Sequence, residues 1–444
     1  MIHAFAYRDA FLVLDVESGA IHKVDEPTYE IIRAMELGND IHALPYSNSL
    51  INDVLDEIDE LRKAGQFDSL TPSAPKRTAE FSPIKSMCLN IAHDCNLRCA
   101  YCFAETGEFH GGRMLMPLET AKAALDFLIA HSMGRHNLEV DLFGGEPLMN
   151  FDVVKSVVAY GRELEKKHDK CIHFTITTNG VALDDEIIEF INKEMFNLVI
   201  SIDGRKQVHD ALRVTPNGKG SYDIIVPKAQ ELIRLRGDGE HYVRGTFTAK
   251  NLDFTEDVRA LTDLGFEQIS IEPVVLPADD PCAITEENID RALTEYDRLS
   301  DFVLERRSEG NPFNFFHFMI DLDDSPCLSK RSLGCGAGVE YVAVAPNGDI
   351  YPCHQFVGNK DFLLGNVHND ELDNEIRNRF AGCNIFTKEK CSKCWAKYYC
   401  SGGCAANANN LNGSIMNPPE ISCKLLKKRT ELAIGMELLG DCSN

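Results

Sequence analysis

The sequence predicts an α/β fold: a curved partial barrel of six βα units, with a small strand-and-helix domain before it and a cysteine-rich region after it. Three observations carry the prediction. Between Met87 and about residue 275, strand-like runs alternate with amphipathic helical runs. Residues 1–66 read as short strands followed by two helices, and Pro72, Pro75 and Pro83 mark a linker behind them. Eight of the sixteen cysteines fall between Cys335 and Cys423. The expected divisions are residues 1–70, a linker at 71–85, a barrel at 86–310 and a final domain at 311–444.

In chain order, AFAYRDAFLVLDV and AIHKVD flank a turn at Glu17–Gly19 and read as a hairpin. TYEIIRAMELG and SLINDVLDEIDELRKAG carry apolar residues at helical spacing, and each closes on a glycine. The charges of DVLDEIDELRK form a solvated face. The barrel strands are SMCLNIAH, LEVDLFG, HFTITTN, LVISID, YVRGTFT and QISIEPV. Runs such as LETAKAALDFLIAHS, FDVVKSVVAYGRELEK and FTEDVRALTDLG are their crossover helices. A parallel sheet of this kind builds its sites at the C-terminal ends of its strands. Residues 286–308 give one more long helix, and no internal repeat interrupts the pattern.

A chain of 444 residues that is 44% hydrophobic can bury a large core. Its formal net charge of −24 excludes a global positive footprint, so neither nucleic acid nor an anionic membrane is an expected partner. MIHAFAYRDAFLVLDVESG has no basic segment leading into an apolar run, so a signal peptide is not expected, and no apolar stretch approaches the roughly 18 residues of a membrane span. The expected compartment is the cytoplasm. In such a setting clustered cysteines bind metal or do chemistry rather than form disulfides.

Cys95, Cys99 and Cys102 share one loop after the first barrel strand. Three thiolates there can hold three corners of a [4Fe–4S] cube and leave the fourth iron open to a chelating ligand. At this cysteine frequency the spacing arises by chance only about 0.02 times per chain. Zinc is the alternative and would need a fourth ligand, for which His93 and His110 are at hand. In the C-terminal region the set is Cys335, Cys353, Cys391, Cys394, Cys400, Cys404 and Cys423. VEYVAVAPNGDIYPC within it is a hairpin with Asn347-Gly348 at its tip. Zinc knuckles are the alternative there too. Cys88, Cys171, Cys282, Cys383 and Cys442 belong to no motif and are read as small core or surface residues.

The Cx3Cx2C loop, with Tyr101 before its last cysteine, resembles the signature of radical S-adenosylmethionine enzymes. The second strand ends in Gly144-Gly145-Glu146-Pro147, similar to that family's motif for the methionine amino group. By the resemblance, Glu146 accepts the ammonium, the glycines let backbone approach it, and Ser201 and Arg213 contact the ribose or the carboxylate. Thr178-Asn179-Gly180 reads equally well as a plain turn. The later cysteines resemble the SPASM extension of a branch of the family. That pattern implies one cluster on Cys391, Cys394, Cys400 and Cys423, and another on Cys335, Cys353 and Cys404, with Cys327 or a substrate thiol completing it. Residues 1–66 resemble a winged-helix-like element that captures precursor peptides; a dimerisation or barrel-capping module is the alternative.

Together these parts resemble thioether-forming maturases of six-cysteine ribosomal peptides. The resemblance implies a partial (β/α)6 TIM barrel, S-adenosylmethionine, three [4Fe–4S] clusters, a cysteine-rich precursor peptide with a leader, and a reductant such as flavodoxin or ferredoxin. Two other readings stay open. One is formylglycine formation in a sulfatase, which wants a general base that the sequence does not single out. The other is an iron–sulfur carrier or scaffold without catalysis.

Overall fold

The computed structural model describes residues 1–322, 328–369 and 371–439; Cys327 and Cys442 lie outside them. The first part of the chain folds as an antiparallel meander of β1 (Ile2–Tyr7), β2 (Ala10–Asp15) and β3 (Ile21–Val24). The expected turn at Glu17–Gly19 joins β2 to β3. AFAYRDAFLVLDV, read as one strand, breaks into two at Arg8-Asp9, where Tyr7 pairs with Ala10 and Arg8 takes a φ of 51°. No glycine, proline or asparagine marks that turn, which is why the apolar run conceals it. Helices α1 (Glu26–Leu37) and α2 (Asn48–Lys63) follow. Asp25 caps α1 by accepting from the Thr28 amide at 2.9 Å, and Gly38 ends it in the left-handed region. Ile31, Ile32, Ile51, Val54 and Ile58 bury with Ala4 and Val13 in a small core of their own.

After the linker comes β4 (Ser86–His93), buried at every residue, as a strand covered on both faces must be. Its long loop carries β5 (Arg98–Cys99) and β6 (Met114–Leu115). The units that follow are α3 (Leu118–His131), β7 (Asn137–Gly144), α4 (Phe151–His168), β8 (Cys171–Thr178), α5 (Asp185–Glu194), β9 (Asn197–Ser201), α6 (Lys206–Leu212) and β10 (Arg213–Val214). Then come α7 (Tyr222–Arg236), β11 (His241–Phe247), α8 (Phe254–Asp263), β12 (Gln268–Pro273) and α9 (Ile289–Ser308). β4, β7, β8, β9, β11 and β12 lie side by side in parallel, in chain order. This is the six-unit partial barrel. On β8 the period of two is plain: Ile172, Phe174 and Ile176 bury in the main core, while His173, Thr175 and Thr177 line the lumen.

The sheet continues past the barrel on both sides. β13 (Asn314–Phe315) pairs in parallel with β12. Beyond α10 (Leu328–Leu333), the hairpin of β14 (Tyr341–Val344) and β15 (Asp349–Tyr351) forms as expected, with Gly348 at a φ of 91°. The sequence does not announce that β14 also pairs in parallel with β4, or that β16 (Gly365–Asn366) extends the sheet further. The barrel and the cysteine-rich region therefore share one sheet, and Cys353, just past β15, comes to the barrel mouth. The chain ends in α11 (Asn374–Ala381), α12 (Glu389–Ser392), α13 (Lys397–Cys400), α14 (Ala405–Asn412) and α15 (Glu420–Leu439). The N-terminal meander docks on α9 and α15: the Tyr7 hydroxyl meets Ser300 Oγ at 2.9 Å, and any Cβ at Gly435 would stand 2.2 Å from the Tyr7 ring. Among the described residues no helix is long and apolar enough to cross a membrane.

Candidate active site

The loop after β4 is fixed from several sides. The Cys95 amide donates to Asp94 Oδ1 at 2.8 Å, and β5 pairs with β10 so that Cys99 faces Arg213 across the ladder. The Asn179 side chain reaches over from the end of β8, donating to Asn96 at 2.8 Å and towards Cys95 Sγ at 3.6 Å. Burial pushes the Cys95 thiol up to about 12 and the Cys99 thiol up to about 11, with mutual repulsion adding to both. Empty, these sulfurs stay protonated; a bound cation would make them thiolates. Neither histidine considered for zinc joins them. His93 stacks on Phe109 at 4.7 Å, and His110 pairs with Glu105 at 2.9 Å.

Gly144 and Gly145 are required, though for a reason other than a ligand's approach. A Cβ on Gly144 would lie 2.4 Å from the Ala92 carbonyl oxygen, and one on Gly145 would lie 2.2 Å from that of Asp94. The end of β7 is thus pressed against the start of the cysteine loop, with the Glu146 amide donating to the Asp94 carbonyl at 2.9 Å. Pro147 opens the turn that follows. Glu146 is buried, and its carboxylate accepts from Thr178 Oγ1 at 2.8 Å, the Asn179 amide at 2.8 Å and the Leu148 amide at 3.0 Å. Burial raises it to about 7 against the pull of those donors. A carboxylate has about four lone-pair sites, so one remains for an ammonium, whose charge would restore the anion. Thr178 and Asn179 are therefore more than a turn.

Sequence reading missed the hub of the site. Asp203, in the SIDG run after β9, is fully buried. It accepts from the Tyr101 hydroxyl at 2.7 and 2.9 Å, from Arg213 Nε and Nη2 at 2.9 and 3.1 Å, and from the Thr246 amide at 3.0 Å. One carboxylate thereby ties the cysteine loop to β9, β10 and β11. Arg213, expected to hold a ligand directly, has its fork closed on Asp203 and faces the Tyr101 ring at 5.5 Å. It still lines the cavity. Ser201 lines it too, and among the described residues no protein group holds its hydroxyl.

These residues surround a cavity of about 280 Å³. Phe143, Val274 and Val275 supply apolar wall, and the cysteine-rich region contributes His354, Gln355 and Asn407. Those three abut a second group of sulfurs. The Asn407 amide donates to Cys404 Sγ at 3.5 Å at the start of α14, which only partly offsets the burial that raises this thiol, and Gln355 Nε2 approaches the same sulfur at 4.0 Å. Cys335, Cys353 and Cys404 lie within electrostatic reach of one another. So do Cys391, Cys394, Cys400 and Cys423. The structure thus gathers the expected sulfurs into three groups. Among the described residues no three such side chains close on a point the size of a single ion. A four-iron cube, which presents its corners to its ligands, is the group that three spread sulfurs on one loop fit.

Cys391–Cys423 is braced by the N-terminal domain, which nothing in the sequence indicated. Lys397 in α13 pairs with Glu17 at 2.6 Å, both side chains being about 1% exposed, and the Tyr398 hydroxyl donates to the same carboxylate at 2.7 Å. Trp395 stacks on His3 at 3.9 Å, with His3 held between Glu36 and Glu431 at 2.9 Å each. Of the unassigned cysteines, Cys88 and Cys282 are buried, Cys171 is half-buried, and Cys383 lies close enough to Cys391 to repel its thiolate.

Residues 89–279 match the model of the radical SAM superfamily, and residues 335–395 match that of the SPASM iron–sulfur cluster-binding domain. The radical SAM cyclopropyl synthase TigE of Paramaledivibacter caminithermalis is 22% identical over 92% of this chain and 89% of its own. A cysteine-type anaerobic sulfatase-maturating enzyme of Clostridium novyi is 24% identical over 75% of this chain and 91% of its own. The subtilosin biosynthesis protein AlbA of Bacillus subtilis is 25% identical over 72% and 67%. Among solved structures, anSMEcpe with bound AdoMet and Cp18Cys peptide superposes with a TM-score of 0.66 at 20% identity, covering 81% of this chain and 99% of that one. The chain therefore carries a radical S-adenosylmethionine domain. More narrowly, it carries the SPASM extension. Its radical SAM domain works with S-adenosylmethionine and a [4Fe–4S] cluster, and its SPASM domain binds further iron–sulfur.

Proposed function

We propose that this enzyme matures a ribosomally made, cysteine-rich precursor peptide by joining a cysteine sulfur to a carbon of another residue. The observation that carries the reading is the shared cavity. It is lined both by the loop of Cys95, Cys99 and Cys102 and by residues near Cys353 and Cys404. A peptide lying between them would have a carbon near the first and a sulfur near the second.

When bound, the cluster and S-adenosylmethionine supply a 5′-deoxyadenosyl radical that takes a hydrogen atom from the substrate. This chain's residues do the rest. Glu146 would hold the methionine ammonium, Ser201 and the Asp203-anchored Arg213 would orient the ribose or carboxylate, and Phe143, Val274 and Val275 would keep water from the radical. Cys335, Cys353 and Cys404 would hold iron with one position open to Cys327 or to the peptide thiol, which loses its proton on coordination. Cys391, Cys394, Cys400 and Cys423 would close the third cluster. Each link would cost the peptide two hydrogens, one as the atom and one as the thiol proton; one electron would enter from a flavodoxin- or ferredoxin-type reductant to split the sulfonium, and one would be released to iron held by these cysteines as sulfur bonds to carbon. The leader would add as a strand to the free edge of β3. Because the substrate thiols must stay reduced, we place the reaction in the cytoplasm.

Support for the peptide reading comes from AlbA, whose name places it in the biosynthesis of a bacteriocin, subtilosin. A second reading, formylglycine formation, draws on His354, an imidazole on the cavity wall that burial holds neutral by lowering it to about 4, so that it is a weak general base. One experiment separates them. After anaerobic turnover with a six-cysteine peptide, thioether formation predicts a loss of two hydrogens per link together with one alkylatable thiol. A peptide of unchanged mass, or one that gains an aldehyde, would overturn it.

A further inference from the structure

Two lysines of the cysteine-rich region are almost wholly buried, and they are solvated differently. Lys397 has the Glu17 carboxylate at 2.6 Å. Lys388, 2% exposed at the start of α12, has no carboxylate partner among the described residues. Its ammonium donates to the Gly402 carbonyl at 2.8 Å. Burying an ammonium with only one carbonyl and the Cys383 thiol as hydrogen-bond partners is costly. The groups that can compensate are sulfurs. The Lys388 charge acts on Cys391 and Cys400 of one set, on Cys404 of the other, and on Cys383 between them. Gly402 itself lies in the short turn Cys400-Ser401-Gly402-Gly403-Cys404 that links the two sets.

We propose that Lys388 is an electrostatic bridge between the two auxiliary clusters, holding both at a higher reduction potential and favouring electron passage along the Cys400–Cys404 turn. Thiols are poor anions while protonated, so the buried ammonium is matched to the iron-loaded state, in which they are thiolates. A nearby cation favours the more negative, reduced form of each cluster. The source of the electron rests on the thioether reading: the substrate carbon loses one electron as sulfur bonds to it, and iron on Cys335, Cys353 and Cys404 gains it. That electron then moves to iron on Cys391, Cys394, Cys400 and Cys423 and leaves to an acceptor of the flavodoxin or ferredoxin class. The electrostatic claim needs no peptide and stands apart from that reading.

The test is a redox titration, followed by electron paramagnetic resonance, of the anaerobically reconstituted full chain without peptide. Lys388→Met and Lys388→Gln should each make both auxiliary couples at least tenfold harder to reduce, about 59 mV more negative for one electron. The couple on Cys95, Cys99 and Cys102 should not move, and Lys388→Arg should stay near the parent. Loss of auxiliary iron from both neutral variants but not from Lys388→Arg would also support the bridge, since charge would then decide assembly. Unchanged potentials in an iron-replete neutral variant, or a shift in Lys388→Arg as large as in Lys388→Met, would overturn it.

Discussion

The two halves of the catalytic cavity are built on different principles. The Cys95 side is held from within the barrel, by strand ends that meet on two buried carboxylates, Asp203 and Glu146. The auxiliary side is held from far away. The loop of Cys394 and Cys400 leans on Glu17 and His3, nearly four hundred residues earlier in the chain. The radical-generating half is held by barrel residues, whereas the auxiliary half leans on the N-terminal domain through Trp395, Lys397 and Tyr398. A domain that would capture a leader peptide is also a structural support of the second auxiliary site.

Substitutions that remove one carboxylate should separate the halves. Asp203→Asn leaves the Arg213 guanidinium buried beside a neutral partner, and breaking such a pair costs about 3–5 kcal/mol. We expect denaturant unfolding to move accordingly and 5′-deoxyadenosine production to collapse, with the auxiliary spectra unchanged. Glu17→Gln should cost about 3 kcal/mol by stranding Lys397, and should do the converse: disturb the auxiliary spectra and spare the Cys95 cluster. Adding Lys397→Met should recover most of that loss. If Glu17→Gln disturbed both halves alike, the contrast between them would fail.

A smaller effect sharpens the barrel side. Glu146→Gln turns an acceptor that serves three donors into a group with its own N–H₂, so one donor is opposed and the ammonium loses its counter-charge. S-adenosylmethionine binding should weaken about tenfold, about 1.4 kcal/mol, by calorimetry. The smallest effect is one of pH. Burial opposes a charge on His3, but Glu36 and Glu431 outweigh it and raise the imidazole above its ordinary 6.5. A raised value stabilises docking fully below 6.5 and is lost as pH climbs through the folded value. Melting temperature should therefore fall as pH rises from 6 towards 9, and His3→Gln should flatten that slope.

What the sequence revealed follows the same division. The six strands, the cysteine loop and the Gly144–Pro147 turn are local patterns, with period two, period 3.6 and fixed spacing, and each is found where it was expected. Asp203 was within the SIDG run but read as strand, because a single acid has no period to announce it. Its signal was position, an acid just past the C-terminal end of a buried parallel strand. The Arg8-Asp9 turn lacked glycine, proline and asparagine. The pairing of β14 with β4, the Glu17–Lys397 bridge and the burial of Lys388 are long-range facts that one sequence does not encode legibly.

The most direct test of the shared cavity is Cys404→Ser, assayed with a peptide deuterated at the acceptor carbon. The account predicts that deuterium still appears in 5′-deoxyadenosine while thioether formation is lost. Crosslinking at the parental rate, or loss of cofactor cleavage along with it, would contradict the assignment of separate roles to the two sets of cysteines.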